Sequence, residues 1–219
     1  MSLREAGKEQ RRGQILGAAA RLIEAEGLDG LTMRRLSDEA GVSYATVYNL
    51  VGAKEDVLVA LLRSGLEALG SELGAVATLG PLERSDALVT GIVDHFVARP
   101  RLYRPLVRAV HDPALGARGL PIRRRTIELH EASIREAIAA GLLTEELDPH
   151  VLARHVTLAV NGAIQRWAAE ITNADQFRAD ADYSLHVSLL AVASPETRVR
   201  LLDDLRRCEL ALAGVTRAA

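Results

Sequence analysis

Six consecutive residues, from Tyr44 to Asn49, carry most of the chemistry that this sequence displays. On a helix, Val47 and either Leu50 or Val51 would point inward, and the remaining side chains would face solvent. That solvent face combines two phenol rings, a hydroxyl, a methyl and an amide, and it has no carboxylate. Because such groups can bond to base edges and contact their methyl groups, the segment is typical of a helix that reads the major groove of DNA.

The residues before this segment can hold it as the second helix of a helix-turn-helix. Thr32 can cap a short helix that runs through Ala40, and Ser43 can cap the next one. Between the two helices, Gly41 can take a positive φ angle and Val42 can fill the corner. Because any tight pair of helices can show such a turn, the turn alone leaves DNA binding and a purely structural hairpin equally open.

The rest of the chain predicts helices. Apolar residues recur at helical spacing, glycine and proline separate the periods, and no hairpin signal joins alternating apolar runs. We expect helix from Ile15 to Gly27, from Lys54 to Leu73, and over 84–98, 101–111, 121–140, 149–171, 176–193 and 196–213. The fold class is therefore all-α, with a three-helix helix-turn-helix domain in residues 1–53 and a helical domain in residues 54–219. Residues 1–12 are expected to form a basic, partly ordered arm, and 78–82 a loop.

The run from Ile15 to Leu61 resembles the DNA-binding domain of the TetR (tetracycline-repressor) family of transcriptional regulators. The resemblance rests on the first helix closing at Gly27, the Leu31-Thr32 entry, the Gly41-Val42-Ser43 turn, the Thr46-x-Tyr48 pair and Lys54-Glu55 opening helix 4. The sequence departs from the family pattern in two places. Leu50-Val51 stands where His-Phe is frequent, and Ala53 replaces the usual Ser, which removes a side-chain cap worth ~1 kcal/mol.

The resemblance implies roles for individual residues. Thr32, Tyr48 and Lys54 would contact phosphates, with Lys54 near the N-terminus of the fourth helix. The base-reading face would include Tyr44 and Asn49. With the turn and the arm added, the expected DNA-binding residues are Arg11, Thr32, Ser43, Tyr44, Ala45, Thr46, Tyr48, Asn49 and Lys54. The family also implies that the helical remainder binds a ligand and forms a dimer.

Large or polar side chains are sparse in the Ala- and Leu-rich helices that follow, and the exceptions are candidates for a ligand pocket. These candidates are Phe96, Tyr103, Arg104, His130, Asn161 and Trp167. Aromatic rings would give contact area and a few polar groups would orient the ligand, so we expect a small, largely hydrophobic effector. Each candidate is at least as well explained as an ordinary core or interface residue. The arginines within 99–108 and 123–125 could bind an acidic ligand or a second stretch of DNA, but solvated helix faces are the commoner explanation.

The segment from Val156 to Ile164 is apolar around nearly the whole helix, with only Thr157 and Asn161 polar. A helix that is apolar on all sides must be covered on all sides. We therefore expect the helices at 149–171 and 176–193 to form a homodimer through a four-helix bundle, as the resemblance also implies. The expected interface residues are Val156, Ala159, Gly162, Ala163 and Leu189.

Composition and charge exclude several classes of protein. The 27 basic and 29 acidic residues give a net charge of −2, so any DNA affinity must come from a local patch. A single cysteine, Cys208, excludes a disulfide framework, and His150 and His155 lack the i, i+4 spacing of a helical metal pair. Without a phosphate-binding loop, a nucleophile elbow or a dinucleotide fingerprint, we expect no cofactor, no metal and no enzymatic activity. No apolar run reaches the ~18 residues of a membrane span and no signal peptide is present, so we expect a cytoplasmic protein.

These observations predict a ligand-responsive DNA-binding transcriptional regulator. We expect a repressor that a small, largely hydrophobic ligand releases from a pseudo-palindromic operator. Two other classes stay open. A catalytic pair within hydrogen-bond reach would indicate an all-α enzyme, and an acidic recognition face would indicate a protein-interaction adaptor without DNA binding.

Overall fold

The chain is all-α in its computed structural model, which describes residues 3–74, 79–110 and 120–216. The helices of this described part are α1 (Leu3–Gly30), α2 (Met33–Glu39), α3 (Tyr44–Leu50), α4 (Lys54–Gly74), α5 (Pro81–Ala98), α6 (Pro100–Val110), α7 (Leu120–Ala139), α8 (Pro149–Ala168), α9 (Ala174–Leu190) and α10 (Pro195–Thr216). Leu143 and Ala193 form one isolated antiparallel bridge. The predicted fold class is confirmed, and each predicted helix is found within a few residues of its bounds except at the N-terminus.

At the N-terminus the described part of the arm is helical, from Leu3 onward, whereas the expectation of partial order stays a prediction. Helix α1 begins at Leu3 because the arm is built from arginine, glutamate, lysine and glutamine, all good helix formers. As predicted, the helix breaks at Gly27, which has a φ of 72°, and one further helical turn runs to Gly30. The predicted loop at 78–82 ends earlier than expected, at Gly80, because Pro81 starts α5, a position that suits its fixed φ. Thr78 lies outside the described residues.

Packing divides the chain into two compact units. The first comprises Met1–Leu66 with Arg99–Gly119, and the second comprises Glu67–Ala98 with Leu120–Ala219. Helix α6 thus belongs with the N-terminal helices, where it packs on α1. The expected boundary between a helix-turn-helix domain in residues 1–53 and a helical domain in residues 54–219 stays a prediction.

In the first unit, α1 supplies the face on which the shorter helices pack. Ile15, Ala19 and Ile23 are fully or almost fully buried at the helical spacing that the sequence shows. Leu36 of α2 and Val47 of α3 are also fully buried, and each such side chain contributes roughly 1.5–3 kcal/mol relative to exposure. The helices that would present side chains to DNA are therefore held by a core of their own.

In the second unit, α9 is the central helix and packs on α5, α8 and α10. Phe177, Ala181, Leu185 and Leu189 recur every four residues on α9 and are buried. The loop between α7 and α8 is joined to the loop between α9 and α10 by backbone hydrogen bonds. In one of them, Thr144 N donates to Val192 O at 2.7 Å. Across the described residues, no helix is both long enough and apolar enough to cross a membrane.

Candidate nucleic-acid interface and ligand-binding core

The helix-turn-helix has the caps that the sequence predicts. Thr32 Oγ1 accepts a hydrogen bond from Arg35 N at 3.2 Å at the start of α2, and Ser43 Oγ accepts one from Thr46 N at 3.1 Å at the start of α3. Between them, Gly41 has a φ of 64°, a conformation that costs glycine little and other residues more. Val42 N donates to Ser37 O at 3.0 Å, which closes the turn.

Helix α3 buries one side and exposes the side chains that were expected to read DNA. Val47 is fully buried, while Ala45 and Asn49 are exposed, as are Tyr44 (51%) and Tyr48 (43%). The centres of the two phenol rings lie 5.0 Å apart. A hydrogen bond with Tyr44 raises the pKa of Tyr48, so this phenol stays protonated at neutral pH and can donate to a phosphate or a base.

Two of the predicted polar residues also bond to each other. Thr46 is half-buried, and its hydroxyl lies 2.8 Å from Ser43 Oγ. This bond fixes the Thr46 rotamer at the first turn of α3. A hydroxyl carries one donor and two acceptor sites, so Thr46 keeps hydrogen-bonding capacity for DNA.

Some basic side chains of the first unit donate hydrogen bonds to neighbouring helices, and others face solvent. Lys54 Nζ donates to Leu28 O at 2.8 Å, which joins the start of α4 to the end of α1. Arg12 Nη1 donates to Leu50 O at 3.1 Å, at the end of α3. Arg11, by contrast, is exposed. The phosphate contacts expected at Arg11 and Lys54 stay predictions, and the Lys54 ammonium has two further protons with which to make one.

The start of α4 compensates for the absence of serine at Ala53. Asp56 Oδ2 accepts a hydrogen bond from Ala53 N at 2.9 Å, reaching back from inside the helix. The preceding Gly52 has a φ of 117°, and a Cβ there would meet Asp56 Oδ2 at 2.4 Å. The sequence analysis identified the missing cap, but it did not anticipate its replacement by Asp56.

Arg99, one of the arginines that could have bound a ligand, pairs with α1 instead. Its Nε and Nη2 bond to the two carboxylate oxygens of Glu24 at 2.8 and 2.9 Å. The hydrogen bond lowers the pKa of Glu24. Since both side chains are partly exposed, the pair contributes little to stability, and it mainly sets how α6 lies on α1.

The ligand-pocket candidates are divided between the two units. Tyr103 and Arg104 belong to α6 in the first unit. In the second unit, the rings of Phe96 and Trp167 lie 6.1 Å apart, and Phe177 stacks on Trp167 at 5.2 Å. The sequence analysis missed Phe177, although it is one of only two phenylalanines and both join this cluster. The other two candidates in the second unit are His130 and Asn161, and Asn161 is half-buried on α8.

His130 has the most unusual environment of the candidates. The residue is only 1% exposed, and neither Nδ1 nor Nε2 has a hydrogen-bond partner among the residues that the structure describes. Burial lowers the pKa of His130 to about 4, so the ring is neutral at physiological pH. A buried polar group without a partner costs roughly 1–3 kcal/mol, and a ligand or a water molecule that bonds to the ring would recover this cost.

The expected dimer residues fall into two groups. Val156, Ala163 and Leu189 are buried within the second unit itself, because α7 and α9 cover most sides of α8. These three residues are therefore core residues rather than surface ones. Gly162 is exposed with open space around it, and Ala159 is half-buried. The apolar residues that remain open on α8 are Val151 (55% exposed) and Leu158 (50% exposed), which share a face with Gly162.

His150 and Arg124, which the sequence analysis also considered, are engaged in surface pairs. His150 Nδ1 lies 2.7 Å from Glu131 Oε2, and Arg124 Nε donates to Glu128 at 3.0 Å. Hydrogen bonds from His150 and Arg135 lower the pKa of Glu131. In the part of the chain that the structure describes, no three histidine, cysteine or acidic side chains are grouped to hold a metal ion.

Known proteins match part of the chain. A family model described as bacterial regulatory proteins, tetR family, matches residues 15–61. The HTH-type transcriptional regulator BetI of Brucella anthropi is 35% identical over 81 residues, which cover 36% of this chain and 42% of that protein. The HTH-type transcriptional repressor KstR2 of Mycobacterium tuberculosis is 31% identical over 99 residues, covering 43% and 50%. The chain thus spans half or less of the length of these relatives.

Solved structures share the fold over most of the chain. The resorcinol complex of RolR has a TM-score of 0.69 at 18% identity, covering 93% of this chain and 96% of its own. A TetR transcription regulator from Haloarcula marismortui has a TM-score of 0.68 at 23% identity, covering 85% of this chain and all of its own. At these identities the likeness establishes the fold alone. Residues 15–61 thus match the tetR family of bacterial regulatory proteins, and the chain shares its all-α fold with these solved structures.

Proposed function

We propose that this protein is a ligand-responsive transcriptional repressor of the cytoplasm. A homodimer places two α3 helices in successive major grooves of a pseudo-palindromic operator. A small, largely hydrophobic effector binds the second unit and changes the separation of the two recognition helices. Because half-site spacing is fixed by DNA geometry, a shift of a few ångströms at each domain disrupts simultaneous docking.

The exposed face of α3 is the observation that carries this proposal. It offers the side chains of Tyr44, Tyr48 and Asn49 to solvent, next to Thr46, and α3 contains no acidic residue. A protein-interaction adaptor that had lost DNA binding would have no need of such a face. The relatives support the same function by name, since BetI is a transcriptional regulator and KstR2 a transcriptional repressor.

The environment of His130 supports an effector of a particular chemistry. The neutral ring offers one donor and one acceptor inside a core that also contains the aromatic cluster of Phe96, Trp167 and Phe177. A ligand with an apolar body and one uncharged hydrogen-bonding group fits this environment better than an anion, which would lack a cationic partner at His130. Resorcinol, the ligand in the RolR structure, likewise has an aromatic body and uncharged hydroxyl groups, although it has two of them.

The exposed face of α8 supports dimerisation. Val151, Leu158 and Gly162 lie at intervals of seven and four residues, so they form one stripe along the helix, in which the exposed His155 lies between Val151 and Leu158. A two-fold axis would place this stripe against its copy and remove it from water. The small Gly162 would let the two helices approach closely.

Selection of bound fragments from random duplex DNA tests the proposed function. We expect the wild-type protein to enrich a two-fold symmetric site, and Asn49→Ala to enrich the same site with one position per half-site relaxed. Ala139→Ser, an exposed substitution at the end of α7, is the control and is expected to enrich the wild-type site. Enrichment of no sequence by an intact wild-type dimer would contradict the proposal.

A further inference from the structure

We infer that Arg12 is a positioning residue, which fixes the C-terminal end of α3 and so sets how Asn49 meets DNA. The inference rests on the proposed DNA binding and adds a role that the sequence does not show. Arg11 and Arg12 are adjacent and equal in charge, and both belong to the basic arm. The structure separates them, because Arg11 is exposed while Arg12 is half-buried and bonded to Leu50.

The hydrogen bond from Arg12 acts on an otherwise weakly held part of α3. Leu50 is the last residue of the helix, where carbonyl groups lack a partner within the helix. Arg12 Nη1 donates to Leu50 O at 3.1 Å and places a positive charge at the negative end of the helix dipole.

Helix α3 depends on such external contacts because it is short. It has seven residues, fewer than two full turns, and Val47 is the one side chain of α3 that is fully buried. A helix of this length has no stability of its own in water. Ser43 holds its first turn, and Arg12 holds its last residue.

The position of Asn49 links this contact to base recognition. Asn49 immediately precedes Leu50, and both line a groove of about 310 Å³ between α1 and α3 together with Lys8, Glu9 and Arg12. If the carbonyl of Leu50 were released, the end of α3 could pivot about the buried Val47. The amide of Asn49 would then lose the alignment that a two-point contact with a base requires.

A comparison of Arg12→Ala with Arg11→Ala tests the inference. The measured quantity is the ratio of affinities for the selected operator and for the same operator altered at the base pair that Asn49 contacts. We expect Arg12→Ala to reduce this ratio by about tenfold, the value of a good base contact. We expect Arg11→Ala to weaken binding to both DNAs equally. It should also reduce the slope of log affinity against log salt concentration by about one. Arg12→Lys keeps a hydrogen-bond donor on a flexible side chain, so its affinity ratio should lie between those of Arg12→Ala and the wild type.

Hydrogen exchange provides a second measurement that needs no DNA. In Arg12→Ala the amides of residues 44–51 should exchange faster than in the wild type, whereas in Arg11→Ala they should not. If the wild type selects no DNA sequence, the proposed function fails, and the exchange measurement still decides whether Arg12 holds α3. Equal affinity ratios in the two alanine variants would overturn the inference. So would a loss of specificity without faster exchange, since Arg12 would then contact a base itself.

Discussion

Two buried histidines of the second unit show how strongly the environment sets the charge of a single residue. His130 has no partner and a pKa lowered to about 4 by burial. His186 is also buried, which lowers its pKa, but hydrogen bonds to Asp86 and Cys208 and the charges of Asp86 and Asp204 outweigh burial and raise the pKa to about 9. One ring is therefore neutral and the other cationic at pH 7. The neutral ring is suited to ligand binding, and the charged ring holds α9 to α5 through the 2.8 Å contact with Asp86.

We predict that the His186 pair stabilises the protein below pH 6.5 and that this contribution is lost as the pH rises through about 9. The sign follows because the pKa in the folded state exceeds the unfolded value of about 6.5, so the folded state holds its proton more tightly. Urea denaturation should show the free energy of unfolding falling by about 3 kcal/mol more between pH 6.5 and 10 in the wild type than in His186→Gln. A fall of equal size in both proteins would show that other groups cause it.

We predict that His130→Leu stabilises the ligand-free protein while abolishing its response to effector. The substitution removes a buried ring without a hydrogen-bond partner and leaves an apolar side chain in its place. The free energy of unfolding should rise by about 1 kcal/mol, and operator affinity should be unchanged. Thermal unfolding without DNA measures the change in stability, and the shift on adding operator DNA measures the affinity. A loss of several kcal/mol would mean that the imidazole has a partner in the native protein, and the proposed ligand contact would be wrong.

At the scale of the helices, local signals were predictable from the sequence and distant contacts were not. The caps Thr32 and Ser43 and the positive φ of Gly41 follow from residue type within four positions, and the structure confirms all three. The bonds of Arg12 to α3 and of Lys54 to α1 join residues 38 and 26 positions apart, so no local pattern could indicate them. The placement of α6 beside α1 was missed for the same reason.

The apolar circumference of α8 was visible in the sequence, but its division between core and surface was not. Any residue of an all-apolar helix can face the neighbouring helices of its own chain. The structure places Val156 and Ala163 in the core and leaves Leu158 open. Only the tertiary packing of α7 and α9 on α8 makes that distinction.

We predict that Gly162→Arg yields monomers that remain folded. Gly162 is exposed, and an added Cβ would meet no atom of the described residues within 4 Å, so a single subunit accommodates the arginine. Across a two-fold axis the same charge would be buried without a partner, at a cost of several kcal/mol. Sedimentation at micromolar concentration measures the result, with Ala139→Arg as an exposed control on α7. A dimeric Gly162→Arg protein would exclude this face of α8 as the interface.

We predict opposite effects from two glycine substitutions in the first unit. Gly52→Ala introduces a side chain at a φ of 117° and into contact with Asp56, so it should destabilise the protein by about 1–3 kcal/mol. Gly13→Ala lies inside α1 with open space around it and should stabilise by roughly 0.5–1 kcal/mol. Urea denaturation compares the two. Equal effects would mean that the junction before α4 does not require its glycine.

For the whole molecule, the proposal makes DNA binding a property of the dimer rather than of one helix-turn-helix. Each α3 has a short exposed face, and the chain carries a net charge of −2, so one subunit has little affinity from charge alone. In a dimer, two such faces are held at a fixed distance. Once one face has bound its half-site, the other is held close to the second half-site, which favours its binding. Repression and its release by an effector then depend on the same quantity, the separation of the two α3 helices.

The most direct test of this account varies the distance between the half-sites of the selected operator. Inserting half a helical turn, about five base pairs, places the second half-site on the opposite side of the duplex. We predict that the affinity falls by about a hundredfold or more, toward the value for a single half-site, and that a full turn, about ten base pairs, restores at most a small part of it. Equal affinity for all spacings, measured with the wild-type dimer at one salt concentration, would contradict the proposed two-groove mechanism.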